Sequence, residues 1–212
     1  MSCLCVSILS VSVNAQVIQV KNSGNHPITS MAAGKSMRGA YLMKTQKVTQ
    51  NGNDSVLTLK QFKIYTDGYY MYAHTIDGDS VGEYGVGTYN MQNGKLTENS
   101  FYTSANGLHS DSYNVKVQNT NGGYTQVINF PADATGSDYV LTETYKNVSK
   151  KLTSGLDGAW KMTKLTLLAK DGTPTVISDP VQYKFYQSGY FIFGTTQPDA
   201  VTRRGGRPSA AR

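Results

Sequence analysis

Residues 63–74 read KIYTDGYYMYAH, and residues 184–195 read KFYQSGYFIFGT. In the first stretch Asp67-Gly68 is a two-residue turn signal between strand-forming flanks, because both positions tolerate positive φ. Such a turn pairs Tyr65 with Tyr70, Ile64 with Met71, Lys63 with Tyr72 and Phe62 with Ala73. Side chains alternate along a strand, so Phe62, Ile64, Met71 and Ala73 share one face. Gln61, Lys63, Tyr65, Tyr70, Tyr72 and His74 share the other. The first face reads as plain core, and the second as an aromatic surface carrying a lysine and a glutamine. The later stretch keeps the division, with Tyr183, Phe185 and Ile192 set against Gln182, Lys184, Tyr186, Phe191 and Phe193.

The likeness extends upstream. Arg38-Gly39-Ala40-Tyr41 aligns with Asp157-Gly158-Ala159-Trp160, and Lys63-Ile64-Tyr65 with Lys184-Phe185-Tyr186. An internal repeat of this length predicts two copies of one domain, the second ending after its hairpin.

Between the two hairpins the text stays strand-like. Tyr41–Val48, Val56–Tyr65, Tyr69–His74, Gly85–Met91, Lys95–Thr103, Ser112–Gln118, Tyr124–Phe130 and Tyr139–Val148 are rich in β-branched and aromatic residues. The segments NGND, DG, DGDS, QNG, TNGG and PADATGSD separate them with turn chemistry. Eight short strands at hairpin spacing, with no amphipathic helix, predict an all-β fold: an antiparallel meander closed as a barrel or packed as a sandwich. Abundant glycine (21) and tyrosine (15), with only 16% charged residues, agree with that class.

The start, MSCLCVSILSVSVNAQ, is apolar and ends in Val13-Asn14-Ala15, which predicts a signal peptide over 1–15 and a secreted or periplasmic protein. The run is too short to span a bilayer, so no membrane span is expected in the mature chain. Cys3 and Cys5 are the two cysteines, and both fall inside this segment. A mature chain without cysteine has no disulfide, thiol catalysis or cysteine–metal site.

The net charge of +6 does not imply nucleic acid. Arg203, Arg204, Arg207 and Arg212 supply +4 of it, which leaves +2 for the rest and no basic stripe. Catalytic patterns are equally thin. His26, His74 and His109 share no metal-ligand spacing, and Asp77-Gly78-Asp79 with Glu83 fits a turn better than a calcium loop. Nothing in the spacing brings Glu98 and Glu143 together as a glycosidase pair. The expectation is a protein that is not an enzyme and needs no cofactor or metal.

The set formed by GAY (39–41) and GAW (158–160), the KIYTDGYYMYA hairpin, VGTYNMQNGKLTE (86–98) and LTETYKNV (141–148) resembles the bacterial secreted lipocalin-like (calycin-type) domains. That resemblance implies an up-and-down β-barrel with an interior able to hold a small hydrophobic or aromatic compound. Tyr41 stands where the family carries tryptophan. The expected layout is a signal peptide (1–15), a flexible lead-in (16–36) and a lipocalin-like barrel (37–148). A linker (149–156), a partial second repeat (157–196) and a disordered basic tail or interrupted end (197–212) follow.

The candidate ligand-binding residues are Lys63, Tyr65, Tyr70, Tyr72 and His74. Tyrosines offer flat apolar area with hydroxyls, and Lys63 can meet an anionic group. The same face on the outside of a barrel would only shield the strands, and the protein would then be a structural or protein-interaction module of the cell envelope. The sequence leaves both open, along with oligomeric state.

Overall fold

A computed structural model describes residues 11–12, 37–57, 59–75, 81–132 and 138–196. The predicted lead-in, the basic tail, His26 and the Asp77–Asp79 turn lie outside the described residues, as does all of the predicted signal peptide except 11–12. The strands are β1 (Val11–Ser12), β2 (Gly39–Gln50), β3 (Asn53–Leu57), β4 (Lys60–Tyr65), β5 (Tyr69–Thr75), β6 (Val81–Gln92), β7 (Lys95–Thr103), β8 (Gly107–Thr120), β9 (Gly123–Phe130), β10 (Tyr139–Asn147), β11 (Gly158–Lys161), β12 (Lys164–Leu168), β13 (Pro174–Ser178), β14 (Gln182–Gln187) and β15 (Tyr190–Thr195). The described residues divide into two compact units, one within 37–159 and 184–194 and the other of 11–12, 160–183 and 195–196.

The larger unit holds the barrel. Its sheet runs β10-β9-β8-β7-β6-β5-β4-β2-β3, and β10 returns to pair with β2, from Tyr139 opposite Gln50 to Asn147 opposite Tyr41. β3 and β4 lie along the same edge of β2, β3 opposite Gln46–Gln50 and β4 opposite Gly39–Leu42. They count as one interrupted strand, so the result is a closed antiparallel barrel of eight strands, all-β as expected. Among the described residues no helix is long and apolar enough to cross a membrane.

The register at the opening hairpin follows its turn. Tyr65 pairs with Tyr70, Ile64 with Met71, Lys63 with Tyr72, and Phe62 with Ala73, and Thr66 N donates to the Tyr69 carbonyl at 2.8 Å. Elsewhere Asn51-Gly52, Asn93-Gly94 and Ser188-Gly189 each put both turn residues at positive φ (51 and 74°, 50 and 76°, 51 and 79°), the conformation that suits the right-handed twist of the flanking strands.

Both faces of the β4–β5 hairpin are buried, by different partners. The Lys63/Tyr65/Tyr70 face turns into the barrel with Tyr41, Met43, Leu96, Val115, Tyr124, Ile128 and Tyr145. The apolar face read as plain core is the barrel's outer surface, and the β14–β15 hairpin lies against it. The rings of Phe62 and Tyr190 are 5.5 Å apart, and a Cβ on Gly194 would stand 2.6 Å from the Tyr84 ring and 2.7 Å from Met71. Arg38 Nε donates to Gln187 Oε1 at 3.0 Å, and Lys150 N to the Ser188 carbonyl at 2.9 Å. Ile64 and Met71 are fully buried in consequence.

In the smaller unit β12 and β13 form a hairpin, Lys164 opposite Ser178 through Leu168 opposite Pro174. β1 adds to its edge with Val11 opposite Leu167. β11, β14 and β15 are neighbours in that order in a third sheet.

Candidate functional site

Inward-pointing residues of the barrel form three levels. At the end where β2 begins, Met37, Tyr41, Tyr65, Leu96 and Tyr124 close the interior. Tyr41 meets Tyr65 and Tyr124 edge-on, with centroids 6.0 and 4.9 Å away. A recess of about 530 Å³ opens at this end among Met37, Tyr41, Tyr124 and the Gly122–Gly123 turn, and none of the sequence-selected residues lines it.

The middle level is polar. Lys63 Nζ lies 2.7 and 2.9 Å from the two Glu98 oxygens, and Tyr65 donates its hydroxyl to the same carboxylate. The ammonium also sits over the Tyr65 and Tyr70 rings, at 5.0 and 4.9 Å, so aromatic faces enclose its remaining sides. Glu143 accepts from Gln46 Nε2 (2.6 Å), Gln126 Nε2 (2.6 Å) and the Tyr145 hydroxyl (2.8 Å), while Gln61 donates to that same hydroxyl. Charged and polar groups at this depth persist only when hydrogen-bonded, and here each carboxylate is held by at least two donors. Gln46 Oε1 and Gln126 Oε1, both buried, have no partner among the described residues.

Burial pushes the hydroxyls of Tyr65, Tyr124 and Tyr145 well above the usual phenol range, and the buried glutamates add to the shift. Tyr70 is raised as well, chiefly by burial and then by Glu98. All four phenols stay protonated donors at any physiological pH.

At the opposite end, where β5 finishes, the interior ends in half-buried rings. Tyr113 packs on Phe130 (5.5 Å) and Phe130 stacks on Tyr139 (4.5 Å, 13°), with Leu59 and Leu141 beside the core. Tyr72 stacks on His74 at 6.1 Å and 4°. Burial, then Glu83, pushes the Tyr72 hydroxyl up to about 12. The ring of Tyr72 lies across Gly85 of β6, where a Cβ would come within 2.4 Å. Tyr70 lies across Gly87 in the same way, at 2.5 Å.

The two rim histidines differ. His109 Nδ1–H donates to the Gly107 carbonyl at 3.0 Å, which leaves Nε2 to accept from the Ser100 hydroxyl at 2.8 Å. His74 Nδ1 is buried without a partner among the described residues, and its Nε2 is 3.8 Å from Glu83.

The five sequence-selected residues thus share the interior, but they separate by depth. Lys63 and Tyr65 belong to the polar middle, and Lys63 is neutralised by Glu98 rather than left to meet an anion. Tyr70 lies beside that middle level, and Tyr72 and His74 reach the end where β5 finishes. Sequence reasoning set aside Glu98 and Glu143 and did not select Gln46 or Gln126. For Gln126 and Glu143 the signal is a polar residue centred in an otherwise apolar alternate row: Tyr124-x-Gln126-x-Ile128 and Leu141-x-Glu143-x-Tyr145. Among the described residues no group of three or more His, Cys, Asp or Glu side chains could hold a metal ion.

Comparison with protein-family models, curated proteins and solved structures finds no match to this chain in any of the three.

Proposed function

We propose that the chain is a lipocalin-like protein of a secreted or periplasmic compartment that binds a small hydrophobic or aromatic compound without catalysis. The ligand enters at the end where β5 finishes and lies against Tyr72, with His74 Nδ1 supplying its directional hydrogen bond. The observation that carries this reading is the change of character along the interior. A middle level with its carboxylates held ends in half-buried aromatic rings and a buried imidazole nitrogen with no partner among the described residues. Apolar walls with few convergent polar groups are the usual composition of small-molecule sites. Lys63, held by Glu98, supports the floor of this site instead of contacting the ligand.

Native mass spectrometry of the full chain, purified from its own secretory compartment, tests the reading. The expected result is a co-purifying small molecule that is lost in Tyr72→Ala and weakened in His74→Ala. A mass of protein alone in every preparation, with no saturable binding of a fluorescent aromatic probe, refutes it. That outcome would favour the second reading, an interaction module of the envelope, which the packed middle of the barrel supports.

A further inference from the structure

The β14–β15 hairpin matches β4–β5 in sequence around its turn, yet the two are covered differently. Inside the barrel β6 runs beside β5, with Gly87 opposite Tyr70 and Gly85 opposite Tyr72, so each tyrosine ring occupies the space a glycine leaves free. One strand further, β7 brings Glu98 to Lys63. On the second hairpin the corresponding rings, Phe191 and Phe193, are 65% and 46% exposed. Tyr186 stacks on Phe191 at 5.9 Å. Lys184 sits over Phe193 at 5.3 Å and has no carboxylate within ion-pair distance among the described residues. β15 is the terminal strand of its sheet, with no described strand along its outer edge.

The hairpin itself is firmly seated. Its opposite face is buried, Phe185 to 1% and Ile192 to 6%, and Arg38 holds Gln187. A fixed hairpin that exposes two phenylalanines, an ammonium with no carboxylate partner among the described residues and a strand edge has the components of strand addition: main-chain hydrogen bonds from the edge and side-chain pockets for selectivity.

We infer that the Lys184/Tyr186/Phe191/Phe193 face and the edge of β15 form a docking surface for a β-hairpin of a separate polypeptide. The partner is specified by what covers the equivalent face in the barrel. Its first strand carries glycines at alternate positions beside Phe191 and Phe193, and its second strand carries a carboxylate that meets Lys184.

The probe is a labelled peptide of residues 81–103, VGEYGVGTYNMQNGKLTENSFYT, added to the full-length protein. Fluorescence anisotropy should show saturable binding, and amide hydrogen exchange should slow over residues 190–194. Lys184→Glu should weaken binding about tenfold or more, and a peptide carrying Glu98→Lys should restore it. Phe193→Ser, on the exposed face, should also weaken binding while leaving the circular dichroism unchanged. Absence of saturable binding, slowed exchange confined to other strands, or indifference to the charge reversal overturns the inference. Protection of residues 190–194 in the protein alone, rising with concentration alongside a dimer, also overturns it and assigns the surface to a second copy.

Discussion

Replacing Lys63 by methionine keeps an unbranched side chain one atom shorter and removes the one cation that reaches Glu98 among the described residues. The side chains of both are almost fully buried, 3% and 5% exposed, and the ammonium holds both carboxylate oxygens. In the variant Glu98 retains only the Tyr65 hydroxyl. Removing one partner of a buried pair costs about 3–5 kcal/mol, because the other charge stays desolvated without its counter-ion. The surviving charge-assisted hydrogen bond keeps the loss near the lower end, about 3 kcal/mol. For a barrel of this size that is a fall of roughly 10–15 °C in Tm. Replacing both members by apolar residues, Lys63→Met with Glu98→Leu, should recover most of the loss, to within about 1–2 kcal/mol of the parent. Urea unfolding followed by the near-ultraviolet tyrosine signal reads the barrel directly, whereas Trp160, the single tryptophan, belongs to the smaller unit. A Lys63→Met variant within about 1 kcal/mol of the parent, or a double variant no better than the worse single one, would refute the assignment of this pair to a sealed interior.

The glycine floor gives a paired test by thermal unfolding. Gly85→Ala should cost about 1–3 kcal/mol and be relieved by Tyr72→Ala, since the Tyr72 ring is its obstacle. Gly87→Ala should not be relieved by Tyr70→Ala, because the Asn99 carbonyl oxygen also stands 2.4 Å from the new Cβ. Stability should depend on pH on the alkaline side. With Tyr72 raised to about 12 in the fold, against about 10 unfolded, its contribution is complete below pH 10 and declines from there to 12. A urea midpoint that stays flat up to pH 11.5 would contradict the burial of these phenols. At the β6–β7 turn, where Asn93 has φ 50°, Asn93→Val should cost about 1–3 kcal/mol and Asn93→Gly almost nothing by chemical denaturation.

Local features carried the fold. Each turn dipeptide fixed the register of its own hairpin, and the β4–β5 pairing follows from Asp67-Gly68 alone. The break between β3 and β4, and the bulges at Thr144/Tyr145 and Val86/Gly87, have no comparable signature because they answer to barrel curvature rather than to neighbours in sequence. Sidedness was illegible for a specific reason. The outer face of β4–β5 is as apolar as a core because a later hairpin covers it, so polarity could not tell inside from outside. The middle level was out of reach as well. Lys63 and Glu98 are 35 residues apart, and Gln46 and Glu143 are 97 apart, so their meeting depends on closure of the whole sheet.

Closure has a kinetic consequence. Every neighbour pair from β4 to β10 is a hairpin that can zip locally, but β2 meets β10 across most of the barrel's length, with Val148 N reaching the Ala40 carbonyl. Such non-local pairing is slow, on the order of milliseconds to seconds. During synthesis β10 is the last barrel strand to emerge, so until then the nascent sheet keeps an open seam. Glu143, whose contacts to Gln46 and Tyr145 span that seam or lie on its final strand, is the residue whose protection from solvent marks the moment of closure.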